Sequence, residues 1–354
     1  MNIEDLLKYT IQHNASDLHL VVGYAPQVRI DGILVNVSNY IIDDTTIKTF
    51  MDPLLSSAQK EFLDVNKEVD FSYEFKETHD RFRINVFHQL GHLSAALRLI
   101  PSKIRTVEEL FLPEVMHNFT NLPQGLILIT GPTGHGKTTT LAALIQEINM
   151  KYPKHVLTIE DPIEYVFPTG MALIEQREIG EDTHSWDISL RSALREDPDV
   201  VLIGEMRDFE TIAAAITIAE TGHLVFATLH TNSAPQTIDR IIDVFPDVQQ
   251  TQIRSQLADI LEGIVSQRLI PTIGGGRRIA VEVLLANPAV RNMIREAKTY
   301  QLDSVIQTSS NVGMVSLEKS LVSLVREGKI SIDDAKAISP HPDEVLRLFR
   351  GRME

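Results

Sequence analysis

Residues 125–138 read GLILITGPTGHGKT. The first six, Gly125 to Thr130, form a short apolar run of strand type. The run breaks into Gly131-Pro132-Thr133-Gly134-His135-Gly136-Lys137-Thr138, which satisfies G-x-x-x-x-G-K-[ST] at every fixed position. Thr139 to Met150 then carry helical spacing through Leu141, Leu144 and Ile148. The motif thus stands between a strand and a helix, where its mechanism requires it. Glycines let successive backbone N–H groups turn inward around phosphate oxygens. The new helix aims its positive end at the same anion. Lys137 reaches β- and γ-phosphates, and the Thr138 hydroxyl is a Mg²⁺ ligand. Gly131, Pro132, Thr133, Gly134, His135, Gly136, Lys137, Thr138 and Thr139 are therefore the expected nucleotide-binding set. His135 occupies a variable position and is expected to have no catalytic role.

Three further apolar runs follow, each ending in polar residues. Val156–Ile159 lead to Glu160, Asp161 and Glu164; Val200–Ile203 lead to Gly204, Glu205 and Arg207; Leu224–Ala227 lead to Thr228 and His230. Apolar runs separated by helical segments indicate a parallel sheet covered on both faces. Ligands bind such sheets at the carboxyl ends of the strands. Glu205 stands where an acidic residue would hold Mg²⁺ through water or polarise the attacking water, and Glu164 is a second candidate for that base. His230 is placed to sense the γ-phosphate. His223 precedes the same strand and is a candidate for linkage to it. Asp161 suits a turn or cap equally well, and Arg191, Arg195 and Arg207 suit surface ion pairs as readily as phosphate sensing.

The first hundred residues have a different texture. Ile3, Leu6, Leu7 and Ile11 have helical spacing, whereas Leu18, Leu20 and Val22 alternate. Val28 and Ile30 lead into an Asp31-Gly32 hairpin turn. Val69–Phe75 and Phe82–Val86 alternate cleanly with polar residues. A small α+β domain with an antiparallel sheet is expected over residues 1–101, then a connection and the nucleotide-binding domain over 102–354. Pro101, Pro113 and Pro123 punctuate the connection, and Val107, Leu110 and Phe111 are expected to pack. Arg81, Arg83 and Arg98 share or neighbour one polar sheet face, where composition alone favours ordinary surface ion pairs.

The 354 residues suffice for two cores, with 43% hydrophobic and 23% charged residues. A net charge of −15 argues against a broad nucleic-acid surface. No apolar run approaches membrane-spanning length, and MNIEDLLKYT is acidic and amphipathic, unlike a signal peptide. Cysteine is absent, so neither disulfides nor a thiolate zinc site can form. These features favour the cytoplasm. A GTPase is disfavoured because no N-K-x-D motif follows the phosphate loop, and a small-molecule kinase because no acceptor lid is apparent.

Taken together, GPTGHGKTTT, TIEDPIEY, QREIG, ALREDPDVVLIGEMRD and TGHLVFATLHTNSA resemble, in order, the Walker A, Asp box, arginine segment, Walker B and His box of the secretion ATPases of type II secretion and type IV pili. ASDLHL and the RIDG turn also match, so the resemblance spans nearly the whole chain. It implies a PAS-like N-terminal domain, a RecA-like ATPase domain and a homo-hexamer using ATP and Mg²⁺. It also implies Lys137 and Thr138 in nucleotide binding, Glu164 and Glu205 in hydrolysis, and His223 and His230 in the His box. Arg81, Arg83 and Arg98 become candidate arginine fingers. Family members that extend pili or secrete commonly carry a tetracysteine zinc module, which this chain cannot build. Ala289–Glu296, AVRNMIRE, resembles a motif of the retraction members, with Val290 and Met293 replacing Ile and Leu. Val290, Met293, Ile294 and Ala297 are expected on one buried helix face. The expected function is powering pilus retraction from the cytoplasmic side of the inner membrane against a platform protein. The alternatives are pilus extension, type II secretion, or a regulatory nucleotide-binding subunit.

Overall fold

The computed structural model describes residues 2–30, 32–78, 80–100 and 103–351. Asp31 of the expected turn, and Pro101 and Ser102 at the expected domain boundary, lie outside them. The chain divides into two compact units, Met1–Lys103 with Pro162–Val166, and Ile104–Asp161 with Phe167–Glu354.

The first unit opens with the helix Ile3–Gln12. Asn2 and Asp5 close a reciprocal capping box at its start, and Ile3, Leu6 and Leu7 are buried on one face. The strands β1 (Asp17–Val21), β2 (Gln27–Ile30), β3 (Ile33–Asn36), β4 (Glu68–Phe75), β5 (Asp80–Gln89) and β6 (His92–Ile100) form an antiparallel sheet in the order β3-β2-β1-β6-β5-β4. The period-2 pattern decides which side faces the core: Phe82, Ile84 and Val86 are buried, while Arg81, Arg83 and Asn85 turn to the other face. Register then aligns Ser72, Arg83, Arg98, Asp17 and Arg29 in one row across five strands. Two guanidinium groups directly opposite each other are unfavourable. Asp17 offsets this, because it accepts a 3.0 Å hydrogen bond from Arg98 Nε and lies 3.8 Å from Arg29 Nε. Burial alone would raise the Asp17 carboxyl, but the Ser16 hydroxyl and Arg98 outweigh it and hold the carboxyl below its ordinary range.

The second unit is a seven-stranded sheet of β7 (Gly125–Thr130), β8 (His155–Glu160), β9 (Leu173–Glu178), β10 (Val200–Ile203), β11 (Leu224–Leu229), β12 (Leu261–Pro271) and β13 (Arg277–Leu285). Their order is β13-β12-β7-β11-β10-β8-β9. All neighbours are parallel except β12 and β13, an antiparallel pair at one edge. The runs on which a parallel sheet is expected, now β7, β8, β10 and β11, are parallel throughout, and the antiparallel pair lies beyond them. The strand β9 was not anticipated, because LIEQRE offers no apolar run; an edge strand needs only one partner and half a core. In β7, Leu126 and Leu128 enter the core beneath the helices Phe209–Glu220, Ala234–Asp243 and Asp247–Ile260. Ile127 and Ile129 enter the core beneath Lys137–Lys151. Both faces are covered, as a buried apolar strand demands.

In the connection, Val107 is buried and Leu110 packs against the core, but Phe111 does not. It is 59% exposed, with the Arg278 guanidinium 3.7 Å above its ring. A cation–π contact takes the place of burial there. Among the described residues, no helix is long and apolar enough to cross a membrane.

Candidate active site

The phosphate loop leaves β7 at Thr130 and enters the helix Lys137–Lys151. Gly134 and Gly136 have φ of +77° and +83°, in the left-handed region that glycine adopts without strain. Gly131 has φ of +139°, and a Cβ there would stand 2.3 Å from the Gln267 carbonyl oxygen of β12. Gly131→Ala is therefore expected to displace the loop from the sheet, lowering both the thermal midpoint and nucleotide affinity. Unchanged values in a melting and binding series would refute the steric account.

Gln267, 1% exposed, pins the loop from behind. Its Nε2 donates to the His135 carbonyl at 2.7 Å, and its Oε1 accepts from the Thr140 hydroxyl at 2.9 Å. His135 is held a second time, because its Nδ1 accepts from the Leu269 amide at 3.1 Å. That acceptor role requires an unprotonated Nδ1, and burial, then Arg268, Lys137 and Arg277, lower the His135 pKa. The histidine at the variable motif position therefore anchors the loop to β12. Nothing in the local sequence marks Gln267, which lies 127 residues from Thr140.

Lys137 is 8% exposed, and its Nζ donates to the carbonyls of Gly131 at 2.8 Å and Pro132 at 3.2 Å. Glu205 follows β10 and His230 follows β11; parallel pairing in register brings these two strand ends together. His230 Nε2 lies 2.8 Å from Glu205 Oε1. His230 Nδ1 lies 3.2 Å from the Thr133 hydroxyl and 3.5 Å from Lys137 Nζ. Lysine can only donate, so Nδ1 accepts and the proton resides on Nε2, which donates to Glu205. Arg207 donates to the second Glu205 oxygen at 2.8 Å. Burial raises the Glu205 carboxyl, but Arg207 and His230 outweigh it, and the net pKa falls below the ordinary value. Glu205 is thus an ionised carboxylate, tied through His230 to the loop that would grip a γ-phosphate.

The other candidates are carried by other elements. His223 sits at the amino end of β11, where its Nδ1 lies 3.0 Å from the Ile218 carbonyl and 3.1 Å from the Thr221 hydroxyl, closing the helix Phe209–Glu220. The phosphate loop is at the carboxyl ends, so the length of β11 separates His223 from His230 within one chain. Glu164 belongs to Pro162–Val166, and Arg81, Arg83 and Arg98 to β5 and β6, so all four are carried by the first unit. Arg191 pairs with Asp187 one helical turn away. In the AVRNMIRE segment, Val290 and Ile294 are buried and Met293 packs against the core. Ala297 lies beyond the helix with φ of +57° and is exposed, contrary to expectation. Arg291 donates to the carbonyls of Ala258 at 2.7 Å and Asp259 at 2.8 Å and to Glu262 at 2.8 Å; Arg295 pairs with Asp259. The Arg291 contacts cap the end of the helix Asp247–Ile260. Arg291→Ala is expected to cost about 1–3 kcal/mol by leaving those acceptors unpaired, read as a lower denaturation midpoint.

The model of the type II/IV secretion system protein family matches residues 2–275. The chain belongs to this family. It is 45% identical to the type IV pilus retraction ATPase PilT of Pseudomonas aeruginosa, over 97% of this chain and 99% of that one. It is 46% identical to a twitching motility protein of Neisseria gonorrhoeae, over 88% of this chain and 83% of that one. The crystal structure of the pilus retraction motor PilT with bound ADP matches it with a TM-score of 0.92 and 46% identity, covering 98% of this chain and all of that one. The fold is accordingly the RecA-like ATPase fold of the family with a smaller N-terminal domain. With the phosphate loop intact, the chain is a nucleotide-binding ATPase.

Proposed function

We propose that the chain is the motor of type IV pilus retraction, hydrolysing ATP to drive pilus disassembly and twitching motility. The observation that carries this is the likeness, along nearly the full chain, to the pilus retraction motor PilT. Lys137 and the backbone N–H groups of Gly131 and of Thr133 to Thr139 bind the β- and γ-phosphates. Glu205 orients the attacking water, and His230 couples it to the occupied loop through Thr133 and Lys137. Glu164 serves as a second carboxylate at the water. The Thr138 hydroxyl and Glu205 are hard oxygen donors of the kind Mg²⁺ takes, and they would hold it there. The metal would supply charge neutralisation on the phosphates.

The working form is a homo-hexamer on the cytoplasmic side of the inner membrane, acting on a platform protein at the pilus base. Within it, an arginine of the row Arg81, Arg83 and Arg98 serves as a finger to the γ-phosphate, and His223 acts from its strand's far end. Deleting the gene should leave cells heavily piliated and unable to retract. A deletion strain that loses pili, while any remaining pilus retracts normally, would overturn retraction in favour of extension.

A further inference from the structure

The helix Ala234–Asp243 begins four residues after His230, and its first amides must find partners outside the helix. The Ser233 hydroxyl accepts from Gln236, and Pro235 has no amide hydrogen to satisfy. The remaining donor, Ala234 N, reaches across to β13 and donates to Glu282 Oε1 at 2.7 Å. The intervening turn is tied to the same helix, since the Thr231 and Thr237 hydroxyls are 2.6 Å apart and Asn232 N donates to Gln236 at 2.8 Å. Glu282 also stands opposite Ser266 in the β12–β13 register, and the Ser266 hydroxyl is 2.8 Å from that of Thr130, the last residue before the phosphate loop. One carboxylate therefore fixes the segment that delivers His230 and neighbours the strand end that launches the loop.

We infer that Glu282 is a positioning residue for ATP hydrolysis, holding the turn His230–Ser233 by a charge-assisted bond to the start of the following helix. The inference rests on the assignment of His230 to the hydrolysis site. A carboxylate suits this place because it adds charge to a hydrogen bond at the positive end of a helix. The site also makes the charge costly. Burial raises the Glu282 pKa from 4.5 to about 7; the Ala234 amide opposes the shift, Asp303 and Glu318 add to it, and Arg268 offsets it. A folded-state pKa above the unfolded value means that the folded chain binds the extra proton. Ionised Glu282 thus costs stability progressively as pH rises from the unfolded value through 7. A residue retained only for stability would not be built in this way.

The test compares Glu282→Gln, Glu282→Ala and His230→Ala in the full-length protein. Glutamine keeps an acceptor for Ala234 N and loses the charge. At pH 8, Glu282→Gln is expected to raise the melting temperature. It should also lower kcat about tenfold to a hundredfold, leave KM for ATP within twofold, and speed amide exchange across residues 230–236. Wild-type kcat should fall as pH drops through 7, and the glutamine variant should lose that limb. Glu282→Ala should lose both kcat and melting temperature. Wild-type kcat, exchange and pH profile in Glu282→Gln, with His230→Ala inactive, would overturn the inference alone. Full turnover in His230→Ala would overturn the site assignment beneath it.

Discussion

Glu205→Gln is expected to bind ATP with near-normal affinity and to turn it over about 10²–10⁴ times more slowly. The amide preserves the size of the side chain and can still meet His230 Nε2, which lies 2.8 Å from the carboxylate. It cannot carry the negative charge that Arg207 and His230 stabilise, nor accept a proton from water. Lys137→Ala should fail earlier. It removes the cation held 2.8 Å from the Gly131 carbonyl, at the mouth of the loop, so nucleotide binding and turnover should fall together. Steady-state turnover with parallel nucleotide titrations separates the two defects. Near-normal hydrolysis by Glu205→Gln would remove it from the site, and the same measurement on Glu164→Gln would then identify the base. Turnover that Lys137→Ala leaves intact would point to a contaminating enzyme.

Arg83→Ala is expected to lower turnover by about 10³-fold or more while changing nucleotide affinity little, the signature of a finger that acts on the transition state. The sheet register makes Arg83 the strongest of the three candidates. Arg98 already donates to Asp17 at 3.0 Å, and Arg81 stands opposite Glu74. Arg83 stands opposite Ser72 on one side and Arg98 on the other, with no carboxylate across from it. A guanidinium with a carboxylate partner must break that bond to meet a phosphate, whereas Arg83 is repelled by its neighbour and gains from an incoming anion. Arg98→Ala should show a smaller loss. Single alanine variants of all three with wild-type rates in the assembled protein would return the row to a solvated charged face.

The local grammar of the chain was legible directly. A strand, the glycine pattern from Gly131 to Gly136 and helical spacing from Leu141 to Ile148 specify a phosphate loop, because each depends on neighbours a few residues apart. Alternation likewise placed Phe82 and Ile84 inside and Arg81 and Arg83 outside. Which strand end meets which was a different matter. In TGHLVFATLH the order of residues already puts His230 after the strand and His223 before it; the structure adds what each one meets, Thr133 of the phosphate loop for His230 and the Ile218 carbonyl for His223. Gln267 and Glu282 carry no motif, and both belong to strands that took no part in the sequence-based description of the sheet. They reach the loop and the His230 turn because β12 lies beside β7, with β13 antiparallel to it at the edge. Side-chain spacing encodes the face a residue points to. The partner it finds there is set by strand order and register, which emerge only when distant segments compete to cover the same apolar surface.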